Sequence, residues 1–511
     1  MRIFAIRFHS QMLIEVLKKL QERDKSVEVV YWEGTKSHFE NLAKNKPDLF
    51  RDAIFHLTED AVIGLPAYGV DVSQFPPVGK VLVNALLECE SQVLTMMNTV
   101  DLDNNIPLSK KKNIYYSYIK YWHGILVSLK PDAILFGDIP HLSVHYVIYC
   151  IAKMLGIRTI TFKAIKIGGR VIFLDDLKDY KNLRLELEKA KGRNFKVEDL
   201  SSDVQEHYKK QTNPHIDNQA FYTKKQYLKQ RATPYHLPKR RVLTKHIRSR
   251  TFLSATSDYV KMFFHKRTIP HLEKMRYSGA YLWYKEYGWS KIKKRHKEEY
   301  EKSQSNPDFS KKYIYVALHN QPECSTSAMG DIFVDQILMI DILSASIPHD
   351  WRLYIKESPL QWSGPRTHTG RYRGYYEEIS KRKNVQFVPV GTSTFELIEK
   401  SQAVASVTGS ANWEAIVRGK PALAFGHVWY MYCDGVFRVS DGDSCKVATE
   451  KIRNGYKPDK QQVLNFLAAV DRASVRGFPN RKFKEGYNLD MTYEENIKNI
   501  TEGFYQELQK K

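Results

Sequence analysis

The chain is poor in several things that would place it at once. Its five cysteines in 511 residues (Cys89, Cys150, Cys324, Cys433 and Cys445) are scattered, odd in number and form no C-x-x-C pair. A disulfide scaffold and a zinc knuckle are therefore excluded, and a reducing compartment fits best. No apolar run approaches the roughly 18 residues that a bilayer span requires. The opening "MRIFAIRFHSQMLIEVLKKL" lacks the apolar region and small-residue cleavage site of a signal peptide and reads as a strand entering a helix. A cytoplasmic protein is expected. There is no G-x-G-x-x-G after a strand and no G-x-x-x-x-G-K-[ST], which disfavours dinucleotide chemistry and P-loop phosphoryl transfer. No metal-ligand cluster stands out: "DLDNN" (101–105) departs from a calcium loop after its first positions and reads as a polar loop. No bound metal or cofactor is expected.

What the chain has in excess is positive charge. The formal net charge is +22, and residues 223–300 alone hold 21 Lys and Arg against 5 Asp and Glu. The same stretch is aromatic ("YLWYKEYGWSKIKKRHKEEY"), so an anionic membrane surface, a nucleic acid or an anionic polymer are the partner classes it raises. No nucleic-acid-binding motif accompanies the charge, and specific nucleic-acid binding is not expected. A solvated basic face on a helical linker is the plain alternative. At 42% apolar and 12% aromatic residues the chain can build sizeable cores, and its length calls for more than one domain.

The hydrophobic pattern alternates strand and helix in both halves. Arg2 to Phe8 reads as a strand, Gln11 to Glu22 as an amphipathic helix, Val27 to Trp32 and Ala133 to Phe136 as further strands, and Ser143 to Leu155 as a helix. From Lys312 the pattern is clearer: "YIYVAL", "RLYIK", "VQFVPV", "AVASV" and "ALAFG" are strands separated by helices. The fold class expected is α/β, with two Rossmann-like domains facing each other across a cleft and a basic helical insertion. The boundaries read are 1–177, an insertion or linker over 178–310, a second domain over 311–480, and a C-terminal helix within 481–511 that crosses back to the first domain.

In open parallel sheets ligands sit beyond the carboxyl ends of the strands. There the second half places Gln321-Pro322-Glu323, Lys356-Glu357-Ser358, Thr408-Gly409-Ser410 and His427. In "VTGSANWEAIVRGKPALAFG" small residues stand between a strand and a helix whose start directs free N–H groups and a positive dipole end at the same spot, as anion sites require. An ordinary helix capped by Ser410 is the alternative. In the first half His9 and Ser10 end one strand and Asp138 and His141 another.

"LHNQPECSTSAMGDIFVDQ", "LYIKESP", "VQFVPVGTSTFELI" and "VTGSANWEAIVRGKPALAFGHVWY" together resemble the nucleotide-binding domain of bacterial capsule and O-antigen glycosyltransferases, in the Kdo-transferase (capsule-synthesis) superfamily of GT-B type. The resemblance covers about residues 312–440. It implies transfer of Kdo or a related ulosonic acid from its CMP-activated form to a glycan or lipid-linked glycan acceptor, by a retaining double displacement in one branch. It implies Glu323 as the attacking carboxylate, and Gln321, Lys356, Ser358, Thr408, Gly409, Ser410, Glu414 and His427 as donor-binding residues. Asp138 or His141 on the facing domain would be the base toward the acceptor. Where the family usually has His-Pro, this chain has Ser358-Pro359, so Lys356, Ser358 or His427 would have to meet the phosphate. Alternatives within the fold are a UDP-sugar transferase or epimerase, a CDP-glycerol-type polymerase, or a degenerate protein that only binds glycan or partner enzymes. The basic segment 223–300 would hold the enzyme against an anionic membrane.

Overall fold

The computed structural model describes residues 1–37, 39–40, 50, 52–213, 266–268, 276–322, 324–364 and 366–510. Two open sheets carry it. The first has seven strands in the order β15-β6-β5-β4-β1-β2-β3, with β1 Arg2–Ile6, β2 Glu28–Gly34, β3 Ile54–Leu57, β4 Ala133–Phe136, β5 Arg158–Ile165, β6 Arg170–Leu174 and β15 Val475–Arg476. Its centre is parallel, whereas β6 turns back antiparallel on β5, and β15 is antiparallel on β6. The second sheet is parallel throughout, in the order β11-β10-β9-β12-β13-β14: β9 Tyr313–Ala317, β10 Arg352–Lys356, β11 Val385–Phe387, β12 Ala403–Ser406, β13 Ala422–Ala424 and β14 Val436–Arg438. A short antiparallel pair, β7 Lys266–Thr268 and β8 Arg276–Ser278, stands apart. The arrangement is the two-Rossmann-like GT-B plan that the alternating pattern predicts.

The strands form where the sequence has short unbroken apolar runs. Every residue of "AILF" in β4 and of "AVAS" in β12 is buried, as strands covered on both faces must be. Residues 178–212, read as the start of the insertion, are built into the body instead. Helix Lys181–Ala190 packs along helix Lys460–Ala473, and helix Ser202–Thr212 meets helix Ser410–Val417, where the Trp413 indole N–H donates to His207 Nε2 at 3.0 Å. Arg170 binds them to the sheet: buried, it pairs with Asp203 at 2.6 Å and Asp471 at 2.7 Å. The cationic stretch 223–300 lies mostly outside the described residues. Its last part is helix Gly279–Ser303. There Lys291, Lys294 and Arg295 are exposed, while the half-buried Lys293 donates to the Gly364 carbonyl at 2.9 Å, so these four cations do not share one outward face.

The chain ends where it began. Thr492 and Glu495 cap helix Tyr493–Gln509 reciprocally, and this helix packs on helix Gln11–Arg23. Phe504 is fully buried, with its ring centroid 5.8 Å from Phe8, 5.8 Å from Phe162 and 5.1 Å from Phe173. A buried Phe truncated to Ala loses its transfer free energy and leaves a cavity. Phe504→Ala is expected to destabilise the protein by about 3–5 kcal/mol, read as a lower urea midpoint. Glu502→Gln, which removes the surface ion pair to Arg23, is expected to cost under about 1 kcal/mol.

Candidate functional site

Three neighbouring strands of the second sheet end on one crevice. β9 runs into Leu318-His319-Asn320-Gln321, β10 ends at Lys356, and β12 passes through Val407-Thr408-Gly409 into helix Ser410–Val417. The Thr408 N–H donates to His319 Nε2 at 3.1 Å, the Gly409 N–H to Ser406 Oγ at 3.0 Å, and the Tyr430 hydroxyl donates to the Gly409 carbonyl. A Cβ on Gly409 would stand 2.9 Å from Ser406 Oγ and 3.4 Å from His319 Nε2, so only glycine lets loop, strand and imidazole come this close. The helix N-cap is Gly409, not Ser410, and no side chain caps the first turn. Its N–H groups are left to solvent or a ligand. The Thr408 hydroxyl is buried with no hydrogen-bond partner among the described residues.

A buried ion pair frames this loop. Arg371 Nε and Nη2 meet the Glu357 carboxylate at 3.0 and 3.3 Å, and the Tyr376 hydroxyl donates to the same carboxylate at 2.9 Å. Arg371 Nη2 also donates to the His319 carbonyl at 2.9 Å, and the Ser358 N–H to Glu357 Oε1 at 2.8 Å. His319 is held from the other side by Gln336, whose amide oxygen takes the His319 N–H at 2.7 Å. Gln321 is a buried pin. Its side-chain N–H donates to Thr326 Oγ1 at 2.6 Å, and its main chain pairs with Gln361 at 2.7 and 3.1 Å. Glu323 lies outside the described residues.

Lys356 Nζ donates to the Thr392 carbonyl at 2.5 Å and to Thr394 Oγ1 at 2.9 Å, and burial pulls its ammonium down to about 8. Ser358 Oγ accepts the Leu360 N–H at 3.3 Å and so shapes the turn after β10. Glu414 is half-buried one turn into its helix. His427 lines a cleft of about 690 Å³ between the halves, with Arg438, Asp331, Lys178 and Gln92. Asp331 bridges that cleft: Lys178 Nζ lies at 3.4 Å, Gln92 Nε2 at 3.5 Å and His427 Nε2 at 4.0 Å. Donation from His427, opposed by burial and aided by Lys178, holds its carboxyl at about 2. Trp429 and Tyr430 are core: Trp429 packs between Trp413 and Phe466, ring centroids 4.7 and 6.0 Å away, at the seam between the halves.

The facing half gathers its own polar group at the ends of β1 and β4. Arg7, with φ 61°, donates its N–H to Glu33 Oε2 at 2.8 Å and reaches His141 Nε2 at 3.0 Å and Asp138 Oδ2 at 3.9 Å. His141 Nδ1 donates to the Ile139 carbonyl at 2.8 Å, which leaves Nε2 as its bare nitrogen, facing the guanidinium. Burial first, then Arg7, lowers His141 to about 4. Asp138, 44% exposed, is the open carboxylate of the pair. Burial likewise lowers His9, while Ser10 caps helix Gln11–Arg23 by accepting the Leu13 N–H at 3.2 Å.

So the structure brings Thr408, Gly409, Ser410, Gln321 and Ser358 around His319, sets Lys356 beside the 392–394 turn, puts His427 on the interdomain cleft, and keeps Asp138 and His141 on the other sheet. His319, Arg371 and Arg7 are missing from the sequence-read set. His319 was legible as the first polar residue after β9, whereas Arg371 sits in a loop with no periodic signal. Arg371→Met would leave Glu357 buried without its countercharge. It is expected to cost about 3–5 kcal/mol, with a lowered melting temperature; Arg371→Met with Glu357→Gln should recover part of that loss.

The family model described as capsule polysaccharide biosynthesis protein matches residues 211–451. That stretch includes every strand of the second sheet and the whole of residues 312–440, where the motifs carry the resemblance. No curated protein matches the sequence. Among solved structures, the chain is similar to the beta Kdo 2,7 transferase KpsC of Thermosulfurimonas dismutans at 10% identity, covering 98% of this chain and 99% of that one with a TM-score of 0.29. It is also similar to the UDP-GlcNAc 2-epimerase of Methanocaldococcus jannaschii at 10% identity, covering 92% and 99%, TM-score 0.23. The UDP-GlcNAc-bound 2-epimerase of Neisseria meningitidis matches at 12% identity, covering 92% and 98%, TM-score 0.23.

Proposed function

From a chain whose residues 211–451 carry the capsule polysaccharide biosynthesis pattern, we propose a glycosyltransferase of surface-polysaccharide (capsule or O-antigen) synthesis. It transfers Kdo or a related ulosonic acid from a CMP-linked donor to a glycan or lipid-linked glycan acceptor. The observation that carries the reading is the loop Thr408-Gly409-Ser410: an uncapped helix start, a buried unpartnered hydroxyl on Thr408 and the His319 imidazole meet at the ends of three parallel strands. A phosphate there would satisfy the hydroxyl and the first-turn N–H groups together. Lys356 supplies positive charge from the neighbouring strand end, and His319 stands where the His-less turn Ser358-Pro359 leaves the crevice without an imidazole.

Transfer from a nucleotide needs charge stabilised on the leaving phosphate, and fixed dipoles plus one ammonium are suited to that role. Asp138, 3.9 Å from Arg7 on the opposite sheet, is the base for the acceptor hydroxyl, and Glu323 keeps the attacking role that the family resemblance implies. No helix of the described residues is long and apolar enough to cross a membrane; contact with an anionic surface through 223–300 remains part of the proposal.

The test is a thermal-shift series with CMP, CDP, UMP, UDP and GDP. CMP at a hundred times its Kd is expected to stabilise the fold by about 2.7 kcal/mol, and Ser410→Trp and Lys356→Ala to lose that shift. A shift with UDP alone would overturn the CMP assignment; no shift with any nucleotide would overturn the transferase reading.

Lys356 also sets a pH dependence. It must be protonated to hold an anion, and its pKa is near 8, below the ordinary lysine value, because burial disfavours the charge. CMP affinity is therefore expected to be flat between about pH 7, where the CMP phosphate is dianionic, and pH 8, and to fall about tenfold per pH unit above that, as measured by titration calorimetry. In Lys356→Met affinity should be weak and the slope gone; an unchanged slope would remove Lys356 from the site.

A further inference from the structure

The loop "DLDNN" and the aromatic helix Gly279–Ser303, which the donor site does not use, come together in the fold. They enclose a pocket of about 520 Å³ with Asp103, Tyr284, Tyr287, Gly288, Trp289 and Lys291 on its walls. The pocket straddles both halves of the molecule: Trp289 stacks on His368 with ring centroids 4.6 Å apart, and His368 Nε2 hydrogen-bonds the Leu102 carbonyl at 2.8 Å. Two large rings stay in solvent there, Tyr284 at 66% and Tyr287 at 57% exposure. Lys285 is neutralised by Asp103 at 2.9 Å, while Lys291 has no carboxylate partner among the described residues and lies 4.5 Å over the Tyr287 ring.

Gly288 opens the wall of the same pocket. A glycine inside a helix weakens it, and a Cβ here would meet nothing within 4 Å, so no packing neighbour demands its absence. The gap lies on the helix face between Tyr284, Tyr287 and Lys291, where a ring of a ligand can reach the backbone.

We propose that this pocket is a binding subsite for an anionic glycan, one sugar ring lying over Gly288 against Tyr287 and its carboxylate meeting Lys291. The proposal rests on the transferase reading in that it makes the glycan the acceptor or growing product. Aromatic faces bind the apolar faces of sugar rings, and a carboxylate-bearing sugar adds the charge that Lys291 answers. A concave site with a carboxylate and an amide (Asp103, Asn104) in its wall suits hydroxyl-rich rings better than a flat bilayer.

The full chain is titrated with a fluorescently labelled oligogalacturonate decamer, with a dextran oligomer of matched length, and with phosphatidylglycerol vesicles. Wild type is expected to bind the decamer, and Gly288→Leu and Lys291→Glu to weaken it at least tenfold. Leu extends helix preference at an open position, so Gly288→Leu should melt no lower than wild type, which separates blocking from unfolding. The CMP thermal shift serves as the second readout. Loss of decamer binding in both variants with that shift intact supports the subsite; the same loss in both variants, where wild type binds the decamer but no nucleotide, leaves the subsite standing and removes the transferase. Wild type failing to bind the decamer, equal binding by the variants, dextran competing as well as the decamer, or loss confined to vesicle binding would each overturn the proposal.

Discussion

The geometry of the crevice depends on the buried pair Glu357–Arg371. Glu357 follows β10, Arg371 comes from the loop before helix Tyr375–Ser380, and neither is accessible to water. A charge pair in that position is stable only when its remaining hydrogen-bonding capacity is met. Here it is met by Tyr376, by the Ser358 N–H and by the His319 carbonyl. The need to satisfy one carboxylate and one guanidinium thus fixes the loops after β9 and β10 in register. The Cterminal sheet by itself would fix only where its strands stop. Burial disfavours the Arg371 charge, and Glu357 more than restores it, raising the guanidinium pKa above its ordinary value.

A second constraint acts between the halves. The apolar seam of Trp413, Trp429 and Phe466 joins the two sheets into one continuous core, whereas across the cleft at Asp331 the halves meet through charged and polar side chains, Lys178, Gln92 and His427. The two contacts differ in what they resist. Separating the aromatic seam exposes large apolar surface at about 25 cal/mol per Å². Parting Lys178 from Asp331 exchanges a half-exposed ion pair for hydration, worth about 1 kcal/mol or less. Any relative movement of the halves would therefore open at Asp331 and His427 and pivot near Trp413.

How far the sequence was readable follows the same division. The strands of the second sheet, the polar residues at their ends and the small-residue loop were legible, because a buried parallel strand must be an unbroken apolar run and its ligand side must be polar. The antiparallel turn-back of β6 was not, since "RVIFL" reads the same in either direction. Ser10 looked like a site residue, yet a helix start needs a serine for its own N–H groups. Trp429 and Tyr430 could be placed only by knowing what packs on them. His319 was visible in "LHNQPE" but carried no weight until the fold put β9 beside β12. Arg371 and Arg7 act through long-range pairing, which leaves no local pattern.

Electrostatics in the crevice favour a ligand that brings its own negative charge. The ammonium of Lys356 is kept partly desolvated, at a pKa near 8, and is held by a carbonyl and a hydroxyl with no carboxylate among its hydrogen-bond partners. Such a cation gains more from an incoming anion than a surface lysine does, because its hydration has already been given up. The start of helix Ser410–Val417, at the end of β12 with β9 between it and β10, adds a fixed positive dipole end that needs no counterion to stay folded. Glu357, the buried carboxylate after β10, is turned inward and saturated by Arg371.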